Sequence, residues 1–129
     1  MVEKAPEIPP SADSFAARLA AFPTPAGRMA EVTRQIDELV DILLEVERDA
    51  GADPNICAST GLVSASTMSG WLTCSVRPTS LNDCLILARA AIGPSEFLAD
   101  HQAGKELEHA SRAVVTALAG IVDHLESVA

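Results

Sequence analysis

Only a short set of residues in this chain could carry chemistry. Cys57, Cys74 and Cys84 stand 17 and 10 residues apart, with no C-x-x-C and no Cys/His pair at zinc-finger spacing. They read as small, mostly buried apolar side chains. His101, His109 and His124 cluster near the C-terminus, and Glu106-x-x-His109 has the i, i+3 spacing that one helix of a carboxylate-bridged metal bundle uses. Such a centre needs a second copy of the motif and two further glutamates, and no second E-x-x-H exists. No Ser/His/Asp grouping, Gly-rich phosphate loop or paired catalytic carboxylates stands out. The expectation is therefore no catalytic residue, no metal, no cofactor and no enzyme. What remains is a run of hydroxyls, Ser64, Ser66, Thr67 and Ser69, followed by Arg77. Short hydroxyls and a helix N-terminus can hold phosphate, and Ser/Thr can meet base edges, although they discriminate weakly.

Charge sharpens that reading. The chain carries 18 acidic and 9 basic side chains, a net charge of −9, yet residues 55–80 contain no acid and one base, Arg77. A 26-residue window free of carboxylates thus lies inside an acidic chain.

The elements that would position these residues are helical. Apolar residues make up 48% of the chain and aromatics 3%, a balance that favours Ala/Leu-packed helices over a β-sandwich. Five of the eight prolines lie in residues 1–25, which read as an arm with at most a short helix over 11–22, docked by Phe15, Leu19 and Phe22. Val32, Ile36, Leu39, Leu43 and Val46 have helical spacing, and Gly51 supplies a stop. Asp53-Pro54 offers a cap and a first-turn proline for the next helix. Residues 55–76 fit either a hairpin turning at Ser69-Gly70 or two short helices with a turn at Gly61-Leu62-Val63. Ser80-x-x-Asp83 is a capping-box-like start, with Leu81, Leu85, Ala88 and Ile92 as the buried side and Gly93-Pro94 as the end. Ser95 then caps a last helix, either unbroken or interrupted near Gly104, in which Leu107, Val114, Ile121 and Val128 repeat every seven residues.

Taken together, the pieces resemble the helix-turn-helix domain of the phage-repressor-like (xenobiotic-response-element) family over roughly residues 34–98. The resemblance is carried by Gly51, Cys57-Ala58, the run Val63-Ser64-Ala65-Ser66-Thr67-Met68-Ser69-Gly70-Trp71-Leu72, Arg77-Pro78 and Leu85-x-Leu87-Ala88-Arg89-Ala90. It departs from the family where Leu62 occupies the usual place of the turn glycine. Ala65, Ser66 and Gly70 also stand where Gln, Arg, Lys or Asn are usual.

The resemblance implies an all-α, lambda-repressor-like helix-turn-helix bundle with helices near 28–50, 54–60, 64–73, 80–92 and 95–127. Residues 1–25 would be a flexible arm, 26–98 the helix-turn-helix domain and 99–129 a dimerisation helix. It implies a homodimeric transcriptional regulator binding double-stranded DNA through Asn55, Ser64, Ala65, Ser66, Thr67, Ser69, Gly70 and Arg77. In that reading Met68 and Trp71-Leu72 are core contacts of the recognition helix. Dimerisation would use Leu107, Val114, Leu118, Ile121 and Leu125; the other arrangement folds this helix back over Val32, Ile36 and Leu39. The alternative function keeps the fold and contacts protein instead, as a helical adaptor or structural subunit. No run reaches ~18 apolar residues and the N-terminus lacks a signal-peptide pattern, so a cytoplasmic protein without a membrane span is expected.

Overall fold

The computed structural model describes residues 14–53, 55–101 and 104–129. Six helices follow one another: α1 (Phe15–Ala20), α2 (Pro25–Asp49), α3 (Ala58–Thr73), α4 (Leu81–Ala90), α5 (Ile92–Asp100) and α6 (Glu106–Val128). The chain is all-α, and no strand occurs among the described residues. No helix is long and apolar enough to cross a membrane. The arm before residue 14 lies outside the described residues, as does Pro54.

Helix α2 starts earlier than its apolar spacing predicts because Thr24 caps it, its hydroxyl accepting from the Gly27 N–H at 3.1 Å, with Pro25 in the first turn. It ends in a Schellman turn: Gly51 takes φ 67°, its N–H donates to the Arg48 carbonyl, and the Ala52 N–H donates to the Glu47 carbonyl. Helix α1 docks on α2 largely through charge. Arg18 pairs with Glu38 at 3.3 Å, and Arg34 reaches Glu38 at 2.8 Å and Glu31 through Nε at 2.8 Å. Phe15 and Phe22, expected to dock this helix, are exposed, and Arg18 lies over the Phe15 ring.

The turn predicted at Gly61-Leu62-Val63 does not form; α3 runs through it. Ser64, which would have capped a second helix, turns back along this one instead and donates to the Thr60 carbonyl, as Thr67 does to the Val63 carbonyl. Nor does Asp53 cap α3, since its side chain accepts from the Asn55 N–H in the preceding loop. Glu47 of α2 serves there, accepting from both the Ser59 N–H (3.0 Å) and hydroxyl (2.6 Å). Two more side-chain bonds tie α2 to α3, Thr33 with Ser69 at 2.6 Å and Ser66 with Asp37. The hairpin of α2 and α3 is thus held by hydroxyls at three levels.

The core sits at the other end, where Ala26, Cys74, Leu87, Ala91 and Ala117 meet, with Val76, Ile86, Ala113 and Ile121 packed around them. Between residues 41 and 68, Ser59 is the one buried described residue, so the hairpin tip extends beyond the core. Helix α6 packs against α4 and α5, and more lightly against α3, rather than over Val32, Ile36 and Leu39 of α2. It approaches through small residues. A Cβ on Gly120 would stand 3.3 Å from Pro78 Cδ and 3.4 Å from Leu87 Cδ2, a close approach at which a larger residue needs its neighbours to give by a few tenths of an ångström. The predicted last helix is split in two, because Gly104 at φ 136° interrupts it. Helix α5 begins at Ile92, directly after Ala91, so Gly93-Pro94 does not end α4 and Ser95 is no cap. Its hydroxyl donates to the Ala91 carbonyl from inside α5.

Asp83 locks these parts together. It is 1% exposed, and its carboxylate accepts from the Thr24 hydroxyl at 2.7 Å and from the Thr79 N–H and hydroxyl, each at 2.9 Å. Its own N–H donates to the Ser80 Oγ, half of the expected capping box; the carboxylate closes on Thr79 rather than on Ser80. Burial pushes this carboxyl up, but the Thr79 N–H and the Thr24, Thr79 and Ser80 hydroxyls outweigh it and hold it below its ordinary value.

Two stability outcomes follow. Asp83→Ala removes the buried acceptor of three hydrogen bonds, one from half-buried Thr24 and two from Thr79, and should cost about 1–3 kcal/mol, read as a lowered urea midpoint at unchanged slope. Glu31, 4% exposed, is held at about 2 by hydrogen bonds from Arg34, against the opposing effect of burial and with help from Gln35. A depressed carboxylate contributes stability above its ordinary value near 4.5 and loses it as pH falls toward 2. The midpoint should therefore drop across that window, and less steeply in Glu31→Gln.

Candidate functional site

The residues expected to touch DNA do not share one surface. Asn55 is exposed in the loop after α2, and Ser64, Ala65 and Thr67 are exposed along the middle of α3. Ser66 is half-buried and bonded to Asp37, while Ser69, expected on the solvent side, is buried against Thr33. Gly70 is half-buried, lining the crevice that α3 forms with Ile86 and Ala90 of α4. Arg77 is exposed beyond the far end of α3 and has no ion pair among the described residues. Successive helical residues turn by about 100°, so 64–67 circle the helix rather than line one edge. In a continuous α3 these positions also lack the free N–H groups of a helix start.

The expected dimerisation residues divide. Leu107, Val114 and Ile121 are half-buried in their own chain, whereas Leu118 and Leu125 are 55% and 43% exposed. The inward side of α6 is carried by Ala110 and Ala117.

Helix α4 has an exposed apolar side too. Leu81, Leu85, Ala88 and Ile92, expected to be buried, are all exposed; Asp83, Cys84, Leu87 and Ala91 face inward instead. The cause is Asp83. With its carboxylate fixed on Thr24 and Thr79, helical geometry brings positions 87 and 91 inward and turns 81, 85, 88 and 92 out. Ile86 and Ala90 turn toward α2 and α3, so Leu81, Leu85 and Ile92 lie on the opposite flank. On α6, Thr116, Gly120 and Asp123 face the segment 74–78, so Leu118, Val122 and Leu125 lie away from it. Each of these two flanks thus carries a stripe of exposed apolar side chains. A signal for this rotation was present in the sequence: Ala110, Ala117 and Gly120 can admit Leu87 closely, which Leu118 and Leu125 could not.

A second apolar surface lies on the hairpin tip, where Ile42 and Val46 of α2, Ile56 of the loop and Val63 of α3 are at least half exposed. Among the described residues, no three His, Cys, Asp or Glu side chains gather as a metal site. Cys74 and Cys84 are buried thiols and Cys57 is half-buried. Burial and the neighbouring Glu47 carboxylate push the Cys57 thiol up, so it is a poor nucleophile. Trp71 packs edge-on against Phe97, at 5.5 Å between centroids, and Phe97 stacks on His101. No family model, curated protein or solved structure matches this chain.

Proposed function

We propose that this chain is a helical structural subunit or adaptor that pairs with a second copy of itself through the outer faces of α4 and α6. The observation that carries the reading is the set Leu81 and Leu85 of α4, Ile92 at the start of α5, and Leu118, Val122 and Leu125 of α6, each between 43% and 65% exposed. Half-exposed side chains of this kind leave on the order of 300 Å² of apolar surface per copy, the size at which a patch marks an interaction site. Completing their burial contributes about 1 kcal/mol per side chain, or on the order of 10 kcal/mol over two copies, before association costs of comparable size. The hairpin tip is a separate apolar surface, which suits a subunit with a further protein neighbour.

A DNA-binding regulator has less support. That reading depended on a recognition helix entered from a turn, and its hydroxyls are engaged by α2 or by α3 itself. Arg77, exposed and unpaired, is the remaining candidate for a phosphate contact.

Light scattering at ~50 µM should give twice the 13.5 kDa chain mass, and Leu118→Asp or Leu85→Asp should halve it with helical circular dichroism unchanged. A monomeric wild type at that concentration would refute the pairing. In an anisotropy titration on mixed genomic fragments at ~50 mM salt, micromolar protein should not bind. Binding that Arg77→Ala weakens equally on all fragments would restore the regulator.

A further inference from the structure

Helices α3 and α6 enclose a groove of about 460 Å³. From α3 it is lined by Met68, Trp71 and Leu72, a one-sided i, i+3, i+4 set, and from the turn after α3 by Ser75; from α6, Glu106, His109, Arg112, Ala113 and Thr116 extend over about 15 Å of helix. Met68 and Leu72, expected in the core of the helix, are 65% and 56% exposed here. An apolar floor with a few polar groups, in this range of volume, is the usual form of a small-molecule site.

Its polar groups select the head of the ligand. The Thr116 and Ser75 hydroxyls are spent on the Arg112 and Leu72 carbonyls, each at 2.7 Å. The Glu106 carboxylate lies by Gly104 at the end of the groove, where a Cβ on that glycine would meet its Oε2 at 3.1 Å. Arg112 has only a long, exposed pairing with Glu108 at 3.7 Å, which is weak in water. Its guanidinium and the His109 ring one turn before it, both lining the groove, are the polar groups set beside its apolar floor. We infer that this groove binds an aliphatic carboxylate, its chain along Met68, Trp71 and Leu72 and its head on Arg112 and His109. The inference does not rest on the pairing of two copies.

Trp71 is the one tryptophan in a chain without tyrosine, so the tryptophan fluorescence of the chain comes from a side chain that lines this groove. Dodecanoate titrated to about 1 mM should give a saturable blue shift. Butyrate, with the head but not the chain, should give none, and dodecyltrimethylammonium, with the opposite head, should bind at least about tenfold more weakly. Arg112→Gln should weaken dodecanoate about tenfold and leave the ammonium amphiphile unaffected, while Leu72→Glu should abolish the dodecanoate shift with helical circular dichroism intact. No saturable shift in the wild type, equal affinity for both amphiphiles, or unchanged dodecanoate binding in Arg112→Gln would each overturn the assignment.

Discussion

The Asp83 carboxylate is almost wholly out of water, and such a group is tolerated only where donors replace the hydration it has lost. Thr24 and Thr79 do so, and the requirement to meet them sets the rotation of α4. Rotation decides everything downstream of it. Leu87 and Ala91 become the core, Ile86 and Ala90 the contact with α2 and α3, and the most apolar stripe of the helix is left outside. Thr24 also caps α2, so one side chain ties the start of the longest helix to the start of α4.

Helix α6 completes the arrangement by yielding space. Its alanines and Gly120 let it settle close to Leu87 and Pro78. The cost of that closeness is that the bulky residues of α6 have nowhere to go inside one copy. An interior of alanine, cysteine and one central leucine is small for this length of chain. The apolar surface that would ordinarily be buried has been displaced to the outer flanks of α4 and α6, the groove beside α3, and the hairpin tip.

Helix type and most boundaries were legible in the sequence, because capping residues and helical spacing are local signals. Thr24-Pro25, Gly51 and Ser80 act as their types imply. The facing of α4 was not legible from periodicity. Leu81, Leu85, Ala88 and Ile92 form the stronger apolar stripe, and a buried carboxylate with partners 59 and 4 residues away overrides it. The continuity of α3 was missed for a related reason. Ser64 and Thr67 are good caps in isolation, but their hydroxyls bond back to the preceding turn, and α2 holds the helix straight through Ser59, Ser66 and Ser69. The resemblance to a helix-turn-helix depended on that absent turn. Of the residues expected at a dimer contact, Leu118 and Leu125 are exposed, whereas Leu107, Val114 and Ile121 are half-buried in their own chain.

The hairpin of α2 and α3 is joined by hydroxyl–carboxylate and hydroxyl–hydroxyl bonds, whereas the body is joined by apolar contact. These two kinds of adhesion answer differently to temperature. Apolar burial carries a large heat capacity and weakens on cooling; hydrogen bonds between polar groups carry little of it and are favoured by cold. The chain therefore joins two regions of unlike thermal character through α2, one continuous rod passing from core to tip. Warming loosens the tip first while the body keeps its hold, and cooling reverses the order.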